Sequence, residues 1–195
     1  MTQPAPAQPQ PIDLHRRFTV AFAFPDGLAP EAYPLAWLVG RWSGAGVIKY
    51  PDIPETAFVQ DVTFDHDGGP YLRYESTIRL PAADDESEPT VWSTETGYWR
   101  VAPEPFEGIG EGQTSLEVLL ADPAGRVSVY LGAVGNGRVD LGSDFIARTG
   151  TGADVTASKR MYGLVEGRLL WAWELAAFGK PLQNYASAEL DRVTE

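Results

Sequence analysis

The sequence predicts an all-β protein, a closed antiparallel up-and-down β-barrel of about ten strands with a short helical plug at one end. Three observations predict it. From Gly40 onward apolar and polar residues alternate with a period of two, about ten such runs follow one another, and turn dipeptides instead of helix-length connections separate them. A sheet of that size leaves two unpaired edges unless it closes, so we expect closure.

We expect residues 1–32 to form an extended, proline-rich N-terminal arm and residues 33–195 to form the barrel domain. The first eleven residues alternate proline with glutamine and alanine, a composition that cannot bury a core. The apolar stretch from Phe18 to Phe24 is interpreted as a segment packed on the outside of the barrel. A contact between the subunits of a homodimer is the alternative interpretation.

The helical plug is predicted from Tyr33 to Val39, just before the alternating pattern begins. One or two helical turns there would present Leu35, Trp37 and Leu38 to an apolar surface and would end at Gly40. We therefore expect this segment to cover one end of the barrel.

The strand prediction is clearest from Leu72 to Leu80. Leu72, Tyr74, Ser76 and Ile78 share one face, whereas arginine, glutamate and threonine occupy the other, as in a half-buried antiparallel strand. The other predicted runs are GAGVIKY, FVQDVTF, VWSTETGYWRV, SLEVLL, VSVYLGA, GRVDLGS, VTASKRMYGL, RLLWAWELA and ASAELDRV. The predicted turns include Asp67-Gly68, Ala124-Gly125, Asn136-Gly137 and Glu166-Gly167. The acidic segment from Ala82 to Pro89 predicts a solvated hairpin loop.

The composition excludes several classes of function. A formal net charge of −12 disfavours nucleic acid and anionic membranes as partners. The absence of cysteine excludes thiol catalysis, disulfides and thiolate metal sites, and no histidine–carboxylate cluster has the spacing of a zinc site. No apolar run reaches membrane-spanning length and no signal peptide is evident, so we expect a cytoplasmic protein with no metal site.

Four segments in the expected order resemble the nitrobindins, small β-barrels that hold ferric haem through one histidine. GRWSGAG contains Gly40, Trp42, Gly44 and Gly46 in a G-x-W-x-G-x-G pattern, and FDHDGGPYLRYES, TETGYWR and PLQNYASAELDR match later family segments. The resemblance covers most of the chain from Tyr33 to Val193. It implies a barrel like those of lipocalins and fatty-acid-binding proteins, haem b as the family's cofactor, and peroxynitrite isomerisation to nitrate as the family's activity.

The departures from the family pattern bear directly on the cofactor. Tyr185 stands where the resemblance implies the haem-ligating histidine, and Trp92 and Ser93 stand where the family has a methionine and a histidine lining the haem face. A bulky indole would fill part of the cleft. The chain therefore resembles a nitrobindin-like subgroup that lacks the haem ligand, and we expect no bound cofactor.

Tyr185 and His66 are the alternative candidates for an iron ligand. Strict alternation places Tyr185 on the polar face of its strand, and only a bulge near Asn184 would turn it inward. A ferric phenolate would also need a nearby cation, for which Arg192 is the nearest candidate along the strand. His66 is interpreted as a turn residue bonded to backbone.

Three hypotheses about function follow. The first is a non-enzymatic binding protein for a small apolar ligand, in a pocket lined by Trp92, Ser93, Tyr98, Leu131 and Met161. The second is a haem protein acting on nitric oxide or peroxynitrite through a ligand other than histidine. The third is an interaction scaffold that uses the N-terminal arm. Two further tryptophans, Trp171 and Trp173, are interpreted as core residues because they share strand parity with leucines.

Overall fold

The structure, a computed structural model, describes residues 24–82 and 88–194. The predicted arm up to residue 23 and most of the acidic loop lie outside these residues. The described chain begins with a 3-10 helix, Pro30–Leu38, which is followed by ten strands. The strands are β1 (Gly40–Tyr50), β2 (Ile53–Asp65), β3 (Leu72–Leu80), β4 (Thr90–Val101), β5 (Thr114–Asp122), β6 (Arg126–Gly135), β7 (Arg138–Arg148), β8 (Val155–Val165), β9 (Arg168–Ala177) and β10 (Gln183–Arg192).

The ten strands form a closed antiparallel barrel, which confirms the predicted fold class. Each strand pairs with its neighbours in sequence, and β1 also pairs with β10. That closing pair runs in unbroken register from Trp42 opposite Arg192 to Ile48 opposite Ala186. No helix among the described residues is long and apolar enough to cross a membrane.

The 3-10 helix covers one end of the barrel, as predicted, although it starts at Pro30 and not at Tyr33. Leu35 and Leu38 are fully buried. The indole of Trp42, which is also buried, donates a hydrogen bond of 2.8 Å to the Leu38 carbonyl and so ties the helix to β1. The helix is therefore anchored by the first aromatic residue of the barrel itself.

Alternation along the strands places the core inside the barrel. In β3 the inward residues Leu72, Tyr74, Ser76 and Ile78 are all buried, as the period of two predicts. Trp171 and Trp173 are also buried, which confirms that they are core residues. They are joined inside by Trp99, which is fully buried.

The glycines of the G-x-W-x-G-x-G segment lie where β1 comes close to residues of its neighbouring strands. Gly40 has a φ of +129°, a conformation that other residues rarely adopt. A Cβ on Gly44 would clash with the Glu189 carbonyl oxygen and would lie 2.8 Å from the Leu190 Cα. A Cβ on Gly46 would meet the backbone of β10 and the ring of Phe58. These glycines therefore allow the strand that closes the barrel to approach β1.

Replacing Gly44 by alanine should destabilise the barrel, because the added methyl group would meet the backbone of β10, which cannot rotate away. We expect Gly44→Ala to lower the free energy of unfolding by about 1–3 kcal/mol, the usual range for overpacking. Gly163→Ala is the matched control, since nothing lies within 4 Å of the position of its Cβ. Urea denaturation followed by circular dichroism gives both values. Equal effects would contradict the close approach of β1 and β10.

Candidate functional site

The end of the barrel opposite the 3-10 helix, here called the mouth, is where the sheet is irregular. The turns β1–β2, β3–β4, β5–β6, β7–β8 and β9–β10 all lie there. Among the described residues the ladder shows five register shifts, and all five lie toward this end. Because bulges re-aim side chains, strand parity does not predict which residues face inward at the mouth.

Tyr185 turns inward because β10 bulges at that residue. Asn184 lies opposite Glu174 and Ala186 lies opposite Trp173, so Tyr185 is the extra residue of the bulge. Its ring packs edge-to-face on Trp173 at 5.0 Å and on Tyr50 at 5.9 Å, both of which are buried. Strict alternation would have placed Tyr185 on the outer face, and the bulge near Asn184 is the reason that it points inward.

Trp92 is aimed by a second bulge, in β4. Ile78 lies opposite Ser93 and Arg79 lies opposite Val91, so Trp92 has no partner in β3. Its indole Nε1 donates a hydrogen bond of 2.8 Å to the Tyr185 hydroxyl. Two bulged residues from strands that are not neighbours thus meet at the mouth.

A cleft of about 310 Å³ lies beside this pair, between β1, β2 and the adjoining ends of β3 and β4. Its apolar lining is completed by Trp92, which is 39% exposed. The lining residues are Ile48, Asp52, Ile53, Pro54, Thr56, Leu80 and Trp92. The volume is at the small end of the range for small-molecule sites.

Below the mouth, a charged pair fills the centre of the barrel. Arg160 and Glu95 are 5% and 7% exposed, and their side chains form a bidentate ion pair with N–O distances of 2.7 Å and 2.5 Å. The Arg160 guanidinium also stacks over the Trp173 ring at 3.9 Å and donates to the Tyr130 hydroxyl at 3.3 Å. Burial alone would lower the pKa of Arg160, but the Glu95 carboxylate raises it well above its ordinary value. The guanidinium therefore stays charged.

The rest of the interior is closed by hydrogen-bonded side chains. Trp171 donates to Gln60 at 2.7 Å, and Gln60 donates to Ser76 at 2.9 Å. Ser93 lines the small space left between these groups and the ion pair, a cavity of only about 10 Å³. Since that volume is at most enough for one water molecule, the deep interior has no room for an organic ligand.

The structure does not bring the five predicted pocket residues into one pocket. Trp92 and Ser93 lie at the mouth and just below it, whereas Tyr98, Leu131 and Met161 lie on the outer face. Tyr98 is 50% exposed and packs edge-to-face on Tyr71. The outer residues have the opposite strand parity to inward neighbours such as Trp99, and this parity is the physical reason for the difference.

The outer face has concave regions of its own. Leu131 and Met161 line a shallow depression of about 400 Å³. Met161 also borders a groove of about 710 Å³ that crosses β8, β9, β10 and β1, where Val47 and Leu170 contribute. Both are outside the closed sheet and are separate from the mouth.

The other candidate residues lie away from the mouth. Arg192 is at the helix end, where its guanidinium donates to the Trp37 carbonyl at 2.8 Å and stacks on Trp42, so it is not the cation nearest Tyr185. His66 lies in the β2–β3 turn, but its Nδ1 has no partner among the described residues. Asp67 makes the turn's backbone bond instead, accepting from the Gly69 amide at 3.1 Å. No cluster of histidine and acidic residues in the described chain could hold a metal ion.

Sequence reasoning did not identify Glu95 and Arg160 as partners. They are 65 residues apart in the chain, and in so acidic a protein no single carboxylate stands out. Strand parity does indicate that both residues face inward, since Glu95 shares a face with Trp99 and Arg160 shares a face with Tyr162. A charged residue of each sign on an inward face predicts a buried pair.

Removing the acidic partner should destabilise the barrel strongly. We expect Glu95→Gln to lower the free energy of unfolding by about 3–5 kcal/mol, because it leaves the buried Arg160 charge without a counterion. Glu55→Gln is the matched control, since the Glu55–Lys49 pair is exposed and such pairs contribute about 0–1 kcal/mol. Urea denaturation of both variants measures the difference. A small effect at Glu95 would show that the pair is not buried as described.

Alkaline pH should also destabilise the fold. Burial raises the pKa of Tyr74, Tyr162 and Tyr185 above the ordinary value near 10. Their stabilising contribution is therefore fully present below pH 10, where unfolded phenols are protonated, and it is lost as the pH rises toward the folded pKa values. Each such tyrosine should reduce the free energy of unfolding by about 1.4 kcal/mol per pH unit in that window. Denaturation at pH 8, 10 and 11 measures how steeply the free energy of unfolding falls with pH. Tyr74→Phe should make this fall shallower. An unchanged slope in that variant would contradict this account.

Comparison with known proteins gives the family. A family profile described as "THAP4-like, heme-binding beta-barrel domain" matches residues 31–192. The ferric nitrobindin-like protein of Beutenbergia cavernae is 46% identical over 89% of this chain and all of its own, and the peroxynitrite isomerase of Clavibacter michiganensis is 36% identical over 87% of this chain and 98% of its own.

A solved structure agrees with these matches. The crystal structure of Rv2717c from M. tuberculosis superposes with a TM-score of 0.71 at 30% identity, and the match covers 86% of this chain and 99% of that one. The chain therefore belongs to the nitrobindin-like family of THAP4-like, haem-binding β-barrel domains.

Proposed function

We propose that this protein is a non-enzymatic binding protein for a small apolar molecule, which it holds in the cleft at the mouth, and that it does not retain haem. The observation that carries the proposal is the hydrogen bond from the Trp92 indole to the Tyr185 hydroxyl at 2.8 Å. On the family resemblance, Tyr185 stands where the iron-ligating histidine would be. The side chain at that position is already engaged by a neighbour.

The chemistry of Tyr185 argues against iron ligation. Ferric iron bound by tyrosine takes the phenolate, which needs a depressed pKa. Burial raises the pKa of Tyr185 instead, and this effect outweighs the opposing hydrogen bond from Trp92 and the charge of Arg126. Tyr185 is thus a neutral phenol at physiological pH.

The surroundings also fit a porphyrin poorly. Of the two histidines, His15 lies outside the described residues and His66 is in a turn at the opposite end of the barrel. Below Tyr185 the interior is occupied by Trp173 and by the Arg160–Glu95 pair, with almost no free volume. A large planar group would displace side chains that are hydrogen-bonded to one another. The residues present do not fit haem.

The mouth cleft is favoured over the larger outer groove as the ligand site. Ligand sites bury most of the ligand surface in a concavity, and the cleft is walled by inward residues such as Ile48 and Leu80. The outer groove lies on an open sheet face and is bordered by outward-facing residues such as Val47 and Met161.

Haem-dependent peroxynitrite isomerisation is the second candidate function, because the matched profile describes a haem-binding domain and relatives are named peroxynitrite isomerase. It would require this chain to hold iron through a residue other than histidine. An interaction scaffold using the N-terminal arm is the third candidate; its segment lies outside the described residues.

Titration with hemin, followed in the Soret region, distinguishes the first two functions. We expect wild-type protein to leave the free-hemin spectrum unchanged, because neither the ligand nor the space is present. Tyr185→His alone should bind weakly if at all, since the Trp92 indole still fills the cleft. Tyr185→His combined with Trp92→Met should give a shifted Soret band.

The control for this experiment is Tyr98→His, which adds a histidine on the outer face and should leave the spectrum as in wild type. Stoichiometric uptake of hemin by wild-type protein, with a shifted Soret band, would overturn the proposal and favour the second candidate.

A further inference from the structure

We propose that residues 18–23, which precede the described chain, pack on the outer face of their own barrel against a row of four apolar side chains. This row, here called the apolar stripe, consists of Tyr98, Leu119, Val129 and Phe145. The stripe lies outside the closed sheet, so the interaction does not depend on the ligand proposed for the mouth cleft.

The apolar stripe crosses four neighbouring strands without a break. Tyr98 on β4 lies opposite Leu119 on β5, Leu119 lies opposite Val129 on β6, and Val129 lies opposite Phe145 on β7. Residues directly opposite one another in a sheet share a face. Tyr98, Leu119 and Phe145 are 50%, 40% and 59% exposed. A contiguous row of large apolar side chains in water indicates a binding surface.

The described chain begins beside one end of the stripe. Close to its start at residue 24, the Gly27 carbonyl oxygen lies 3.6 Å from the position that a Cβ on Gly68 would occupy, in the β2–β3 turn. Tyr71 follows this turn, and its ring packs edge-to-face on Tyr98 at 5.3 Å. The residues that precede position 24 therefore enter the structure next to the first member of the stripe.

The sequence of this segment matches the stripe in pattern and in length. Phe18, Val20 and Phe22 alternate with threonine and alanine, so an extended chain would present all three on one face. The distance from Phe18 to Phe22 in an extended chain is about 13 Å, and four adjacent strands span about 14 Å. With Phe22 beside Tyr98, Phe18 would therefore lie beside Phe145.

Charge complementarity supports the same orientation. Arg16 and Arg17 directly precede Phe18. Asp144, next to Phe145 at the far end of the stripe, is exposed and forms no ion pair with a residue of the ranges 24–82 and 88–194. The chain as a whole carries a formal net charge of −12, which also attracts a basic segment to the barrel.

The outer groove of about 710 Å³ is a poorer site for this segment. It reaches the helix end of the barrel at Asn136 and Gly137, in the β6–β7 turn, and at Val165, beside the β8–β9 turn. In the closed ring of ten strands, β7 and β8 lie opposite β2 and β3. The groove is therefore across the barrel from the point where the described chain begins.

Disulfide trapping in the full-length protein tests this proposal, since the chain has no cysteine of its own. Val20→Cys combined with Val129→Cys places one thiol on the segment and one on the stripe. The control combines Val20→Cys with Val47→Cys, which lies in the outer groove. Non-reducing electrophoresis and mass spectrometry follow disulfide formation during mild oxidation. We expect the stripe pair to form an intramolecular disulfide about ten-fold faster than the groove pair, because burial of one phenylalanine is worth at least that factor.

A third substitution tests the apolar contact itself. Phe22→Ser, added to the stripe pair, should slow disulfide formation about ten-fold, because it removes an apolar side chain from the interface. Ala21→Ser is the matched control on the other face of the segment and should leave the rate unchanged. Val20→Cys with Leu119→Cys is a second stripe pair, one strand away, for the case that the change at Val129 disturbs the fold.

Three results would overturn the proposal. Equal rates for the stripe and groove pairs would show that the segment has no preferred site, and an unchanged rate in Phe22→Ser would show that the apolar contact does not hold it. A disulfide between two chains, seen as a covalent dimer, would assign the stripe to a second copy of the protein instead.

Discussion

The constraint on which this structure depends is the closure of the sheet between β1 and β10. Closure removes both edges of a ten-strand meander, and it requires the backbone of β10 to come close to Gly44. The same pairing fixes the register of β10, up to Ile48 opposite Ala186. The next residue of β10 toward the mouth is Tyr185. The pairing that closes the barrel therefore also determines where Tyr185 lies at the mouth.

Closure also creates an interior whose polar groups must be satisfied within the protein. The sequence places Arg160 and Glu95 on inward faces, and each is stable there because it is paired with the other. The pair and its neighbours Trp173 and Tyr130 occupy the centre of the barrel. Any molecule that reached this depth would leave a buried guanidinium or carboxylate unpaired, at a cost that few contacts could offset. Available space is consequently confined to the mouth.

The regular part of the barrel could be predicted from the sequence, and the irregular part could not. A period of two identified all ten strands, and parity correctly placed core residues such as Trp171 and Trp173. Parity also assigns Tyr98 and Met161 to the outer face, where they lie and where they cannot line an interior pocket. It gives the wrong face for Tyr185, because a bulge interrupts the alternation. Single-residue bulges leave little trace in a pattern of apolar and polar residues. Glu95 and Arg160 lie on β4 and β8, which are not neighbours in the sheet. Their pairing could therefore not be predicted without knowing how these strands face each other across the barrel.

Tyr185 satisfies the hydrogen-bonding requirement of Trp92. A partly buried indole needs an acceptor for its N–H, and the Tyr185 oxygen is that acceptor. Both side chains reach this position because both strands bulge at these residues. Changing Tyr185 alone leaves the indole without its partner and still in the cleft, and changing Trp92 alone opens space beside a phenol. The chemistry of the mouth is thus a property of the pair and of the two bulges that aim it.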